Sequence, residues 1–309
     1  MECRYAMNAR RRIGLLSAAA VALASLVPPS RLVAQSDASA DPIRRTLLSR
    51  GTAREYFVYL PPGFNRGTKY WPLVVVGGVS GRNYLSTGIA QRVAESGFDA
   101  IVISPSLPAA DLNAIRFPIL GQGEFLQDVM RDARKEYSLQ PKMLLTGYSR
   151  GGQFAHRFAL ALPEQVAAVA PLASGTWTTP DGTFLVEETG EVRNPRMFLS
   201  NPANASTIPA RLKDLFDPRV ISVADSKAAA GAKNVPFLVM CGTLDPRLPI
   251  AKEFVRRLEA LGYQVAVEWP RTPHLCSDDT NPAECQAEFQ KYPRTTVAFF
   301  QKTVQGRPR

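Results

Sequence analysis

Histidine is nearly absent. The chain of 309 residues holds two, His156 and His274, so a reaction that needs an imidazole base has only two places to find one. Cysteine is sparse as well: Cys3, Cys241, Cys276 and Cys285 are the full complement, with no Cys-x-x-Cys and no His-Glu-x-x-His. Those gaps exclude the common zinc-site patterns, and neither a metal nor another cofactor is expected. No arginine-rich run with interleaved aromatics occurs, which removes the usual footprint of nucleic-acid binding. Long apolar runs are also lacking. The most apolar stretch, residues 13–27, is fifteen residues long and falls short of the roughly 20 that span a bilayer as a helix.

The flanks of that stretch give it a meaning. Arg10-Arg11-Arg12 precedes it, and Leu32-Val33-Ala34 follows, ending on a small residue before Gln35. Basic, apolar and cleavage regions in that order read as a signal peptide over residues 1–34, leaving a mature domain over 35–309. The adjacent arginines are compatible with a twin-arginine route as well as the general one. The expectation is a secreted or periplasmic bacterial protein, with no lasting membrane insertion and a monomeric state. Five arginines and one glutamate in residues 1–34 account for four of the ten formal positive charges. The remaining moderate excess suits a solvated surface. In an oxidising compartment Cys276 and Cys285, nine residues apart, are expected to pair and brace the loop that follows His274. Cys241 ends an apolar run and reads as a buried free thiol.

Strand-like and helix-like runs alternate through the mature chain, which predicts an α/β fold with a mostly parallel central sheet and helices on both faces. Strands are predicted at 55–60, 73–76, 100–103, 142–145, 166–170, 237–240 and 265–268. Helices are predicted at 86–96, 123–137, 152–162, 250–261 and 293–301. Val74-Val75-Val76 and Ile101-Val102-Ile103 are apolar throughout, as strands covered on both faces should be. Residues 175–232 break the rhythm with five prolines and many Thr and Asn, and are expected to form an insertion hanging as a partial cap.

The most informative motif is Gly147-Tyr148-Ser149-Arg150-Gly151-Gly152, between a predicted strand and a predicted helix. A Gly-x-Ser-x-Gly in that setting forces a sharp turn that lifts the serine oxygen above the sheet edge. A serine hydroxyl becomes a nucleophile only when a base takes its proton. His156 lies two turns along the same helix, facing away, and reads as structural. His274 follows a predicted strand in a Pro-rich loop, where catalytic groups of α/β sheets collect, and is the expected base. Asp245, in the loop after the strand at 237–240, is the expected acid that orients it. Asp217 and Asp225 are fallbacks in less regular segments. The chain order Ser149, Asp245, His274 separates this set from the chymotrypsin-like and subtilisin-like orders. The backbone N–H of Arg150 is an expected oxyanion donor. Tyr148, beside the serine, and Trp177, in the insertion, are assigned to substrate binding, although an ordinary packed role is as compatible with an aromatic residue such as Trp177.

On these residues the chain resembles secreted α/β-hydrolases. It is most similar to the bacterial feruloyl-esterase and poly(3-hydroxybutyrate)-depolymerase-like group. Besides the serine turn, Gly242-Thr243-Leu244-Asp245 and His274, the match includes Phe57-Val58-Tyr59-Leu60-Pro61-Pro62-Gly63-Phe64, like the opening of that group's core. The likeness covers about residues 55–300, with 175–232 unmatched. It implies the α/β-hydrolase fold and a small-molecule or polymeric ester as substrate. It also implies a second oxyanion donor, the Val79 N–H, from a loop where Gly77 stands in place of the usual histidine. Prolyl-oligopeptidase-like peptidases share the Ser-x-Gly-Gly turn, and a non-catalytic binding protein on the same fold is the alternative from another class.

Overall fold

The computed structural model describes residues 42–49, 51–77, 88–106, 121–180, 184–186, 192–193 and 231–305. All fall in one compact unit, Ala38–Arg309. Residues 1–34, where a signal peptide is expected, together with Val79, Asp217, Asp225 and most of the expected insertion, lie outside the described residues.

Strand β3, Trp71–Val76, shows how the centre is built. Successive side chains of a strand point to opposite faces. Leu73 and Val75 therefore enter one core, and Val74 and Val76 enter another. The same split divides Leu144 from Leu145 on β5 (Met143–Tyr148) and Val102 from Ile103 on β4 (Ala100–Pro105). A strand apolar at every position is stable only when both faces are covered, and here helices cover both. On one side lie α1 (Ile89–Ser96) and α6 (Lys291–Gln305), through Ile89, Val93, Val297 and Phe300. On the other lie α2 (Gly121–Glu136), α3 (Arg150–Ala161) and α4 (Leu248–Ala260), through Leu126, Phe158 and Phe254.

The eight-stranded sheet has the order β1-β2-β4-β3-β5-β6-β10-β11. Its first two strands, β1 (Ile43–Ser49) and β2 (Thr52–Tyr59), form an antiparallel hairpin, and β2 runs antiparallel to β4. From β4 onward every pairing is parallel, through β6 (Val166–Leu172), β10 (Phe237–Met240) and β11 (Val265–Glu268). The mostly parallel α/β architecture read from the sequence is the one observed.

Several elements lie outside the predicted strands and helices. Strand β1 is a half-buried edge, and α5 (Pro282–Phe289) is a short helix between the base loop and α6. Part of the 175–232 insertion is described as a three-stranded antiparallel sheet of β7 (Thr176–Thr178), β8 (Phe184–Val186) and β9 (Val192–Arg193). Its first strand packs on α3 and α4, where Trp177 stacks on Phe254. Among the described residues no helix is long and apolar enough to cross a membrane.

Candidate active site

Strand β5 ends at Tyr148 and α3 begins at Arg150, so one residue, Ser149, makes the reversal between them. Its backbone has φ 56° and ψ −114°. A side chain at such angles carries a strain of about 1–3 kcal/mol, which the surroundings must hold in place. Two hydrogen bonds help: the Ser149 N–H donates to the Leu172 carbonyl at 2.9 Å, and the Gln153 N–H to the Ser149 carbonyl at 3.1 Å. The flanking glycines are required by contact. A Cβ on Gly147 would lie 2.4 Å from the Gly151 carbonyl carbon, and one on Gly151 would lie 2.1 Å from the Val76 carbonyl oxygen. The turn closes only because neither has a side chain.

The acid and the base come from the loops after β10 and β11, adjacent strands in the sheet. The loops are pinned to each other by Thr243 N–H to Pro270 O at 2.8 Å and Leu244 N–H to Thr272 O at 3.1 Å. They cross at Gly242, where a Cβ would fall 1.9 Å from the Thr272 carbonyl oxygen. This crossing brings three side chains distant in sequence into one line. His274 Nε2 stands 3.1 Å from Ser149 Oγ, and His274 Nδ1 stands 2.9 Å from Asp245 Oδ2.

The Asp245 side chain has no exposed surface. Burial pushes its carboxyl toward the neutral form, but the His274 hydrogen bond, the Arg247 N–H and the Arg247 charge help to outweigh it. The net shift is below the ordinary carboxylate value. Its second oxygen, Oδ1, accepts from the Arg247 N–H at 2.9 Å and from Arg247 Nη1 at 3.3 Å. An ionised Asp245 accepts from Nδ1–H, so Nε2 turns its lone pair to the serine hydroxyl. That is the protonation pattern a serine nucleophile needs. Helix α3 also starts at the serine, so its first N–H groups, beginning with Arg150, lie where an anion is favoured.

The other histidine is structural. His156 is fully buried, donates from Nδ1 to the Gly152 carbonyl and accepts at Nε2 from the Thr178 N–H, both at 2.9 Å. Burial, aided by the neighbouring Arg157 charge, holds it neutral.

Two substrate-binding assignments need correction. Trp177 is 0% exposed, with its indole stacked on Phe254 at 4.5 Å and tilted against His156 at 5.0 Å. It is part of the core that anchors β7, because apolar burial claims both ring faces. Tyr148 is 8% exposed and turned inward. Its ring stacks on the His274 imidazole at 5.2 Å and 20°, and its hydroxyl donates to the His274 carbonyl oxygen.

Cys276 and Cys285 are disulfide-bonded, joining the chain just past His274 to α5. Cys241 is a free, buried thiol. Arg247 was missed in the sequence. Its signal was local, since an aspartate in a turn commonly accepts from the N–H two residues on.

No protein-family model and no curated protein matches the chain, but solved structures do. A fluorophosphonate-binding serine hydrolase F from Staphylococcus aureus matches with a TM-score of 0.57 at 18% identity, over 84% of this chain and 98% of that one. A ferulic acid esterase matches at 0.56 and 20% identity, with coverages of 84% and 98%. A ferulic acid esterase from Anaeromyces mucronatus, solved with ferulic acid, matches at 0.53 and 16%, with coverages of 86% and 94%. With serine hydrolases and esterases as its structural neighbours and a mostly parallel eight-stranded sheet whose interior strand β5 runs into the serine turn, the chain has the α/β-hydrolase fold.

Proposed function

We propose that the protein is an exported serine hydrolase that cleaves carboxylic esters through an acyl-enzyme. The observation that carries this reading is the unbroken line from Ser149 Oγ through the His274 imidazole to buried Asp245, with separations of 3.1 and 2.9 Å. His274 Nε2 takes the serine proton as Oγ attacks the ester carbonyl carbon. The carbonyl oxygen becomes an oxyanion, received by the main-chain N–H of Arg150 at the start of α3 and by that of Val79. Each such donor lowers the barrier by about 3 kcal/mol. The intermediate collapses, the C–O bond to the leaving alcohol breaks, and His274 returns the proton to that alcohol. Water then enters, loses a proton to His274 and releases the acid by the same steps in reverse. Asp245 stays ionised throughout and stabilises the imidazolium.

The esterases among the structural neighbours support the ester as the bond cleaved, and the resemblance of the serine turn and of the opening strand supports feruloylated sugars and polyesters as substrates to test. The Cys276–Cys285 bond supports export, because such bonds persist in oxidising compartments. The test is Ser149→Ala. Wild-type protein should hydrolyse p-nitrophenyl esters and be labelled once by a fluorophosphonate, and the variant should do neither while melting at an unchanged or higher temperature. Ester turnover retained in the variant refutes the assignment.

A further inference from the structure

Tyr148 is joined by a peptide bond to the nucleophile and touches the base twice. Its ring lies nearly parallel to the His274 imidazole, and its hydroxyl binds the carbonyl of the same residue. We propose that Tyr148 is a positioning residue that sets the separation of His274 from Ser149, a role that rests on the serine-hydrolase reading above.

Asp245 fixes only the Nδ1 end of the imidazole. That bond leaves the ring able to roll about the line joining the two groups and leaves its backbone unheld. The Tyr148 ring blocks the roll, and the Tyr148 hydroxyl ties the backbone. Tyr148 is in turn wedged by Phe289 of α5 and Tyr292 of α6, edge-on at 5.5 and 6.0 Å. The Tyr292 hydroxyl lies 3.1 Å from Thr272 Oγ1, on the base loop two residues before His274. The clamp therefore closes on itself: nucleophile strand, base loop and the two C-terminal helices meet around one phenol ring. A ring face pressed against imidazole in a nearly buried residue leaves little surface for a substrate. This feature gives the x position of the serine turn a function beyond filling space.

Two variants separate positioning from substrate contact. Tyr148→Phe keeps the stacked ring and loses the donor; kcat on p-nitrophenyl acetate should fall about fivefold. Tyr148→Leu loses both, and kcat should fall on the order of 100-fold, as for a reacting group displaced by about 1 Å. KM should stay within about twofold in both, since a positioning residue acts on the chemical step. The downfield proton resonance of the His274 Nδ1–H should be present in the wild type and in Tyr148→Phe, and broadened or lost in Tyr148→Leu. The proposal is overturned if Tyr148→Leu keeps wild-type kcat or if its loss appears in KM. Should Tyr148→Leu fail to fold, wild-type kcat in Tyr148→Phe overturns it. A wild type inert to esters sinks the hydrolase reading instead, and an unchanged downfield resonance in Tyr148→Leu then overturns the positioning role by itself.

Discussion

Replacing Gly242 with alanine tests whether the acid and base loops owe their alignment to one side-chain-free crossing. The added Cβ would stand 1.9 Å from the Thr272 carbonyl oxygen, 2.5 Å from its Oγ1 and 2.7 Å from its carbonyl carbon. Carbon contacts are comfortable at about 3.5 Å, so Thr272 must retreat by about 1.5 Å. Two of the three atoms are backbone, and a rotamer change relieves nothing there. His274 lies two residues on and moves with that backbone, away from a serine 3.1 Å distant. A displacement of about 1 Å at a reacting group costs on the order of 100-fold in rate, and kcat on a p-nitrophenyl ester should fall by that factor. Overpacking adds a stability loss of about 1–3 kcal/mol, read as a lower urea midpoint. Gly123→Ala is the control. Its Cβ would meet Phe158 at 3.4 Å, an ordinary contact, and a helical alanine should raise stability by up to about 1 kcal/mol with kcat unchanged. A Gly242→Ala enzyme within about threefold of wild-type kcat and with an unchanged midpoint refutes the argument.

The Cys276–Cys285 bond closes a short loop, so replacing both cysteines by alanine should cost about 2–3 kcal/mol in urea unfolding and lower kcat with little change in KM; an unchanged midpoint refutes this. Stability should also depend on acid. His156 is held neutral in the fold, while an unfolded histidine titrates near pH 6.5. Below about pH 6.5 the unfolded chain therefore binds a proton that the folded chain refuses, and stability falls by up to about 1.4 kcal/mol per pH unit. Asp245, held below the ordinary carboxylate value, adds a contribution present above about pH 4 and lost as pH falls further. Urea unfolding midpoints that stay flat from pH 7 to pH 5 contradict the first of these.

What the sequence disclosed, and what it hid, follow from how far each signal reaches along the chain. The serine turn is local chemistry: two glycines, a strand before and a helix after, all within about twenty residues. Asp245 and His274 followed by elimination and by strand order, since one free histidine and one well-placed aspartate remained. Helix α5 had its signals too, in Asn281, Pro282 and Glu284, where the Asn281 side chain accepts from the Glu284 N–H at 3.3 Å. It carries no amphipathic signal, because Cys285 is its only buried residue and it shows no apolar periodicity. Strand β1 was obscured by Arg44 and Arg45, which sit comfortably on a half-buried edge and pair with Glu55 and Glu136. The errors at Tyr148 and Trp177 are of another kind. A large aromatic announces that it will be covered, but whether by substrate or by protein depends on helices more than seventy residues away.

The division of alternate residues between two cores has a consequence for engineering. The sheet works as a bulkhead: enlarging Leu145 presses on the compartment behind α2 and α3, while Leu144, its chain neighbour, answers to the compartment of α1 and α6. Stabilising changes chosen separately on either side share few contacts and should combine nearly additively. Each compartment can thus be repacked on its own, provided the strand tips that carry the serine, the aspartate and the histidine loop keep their heights.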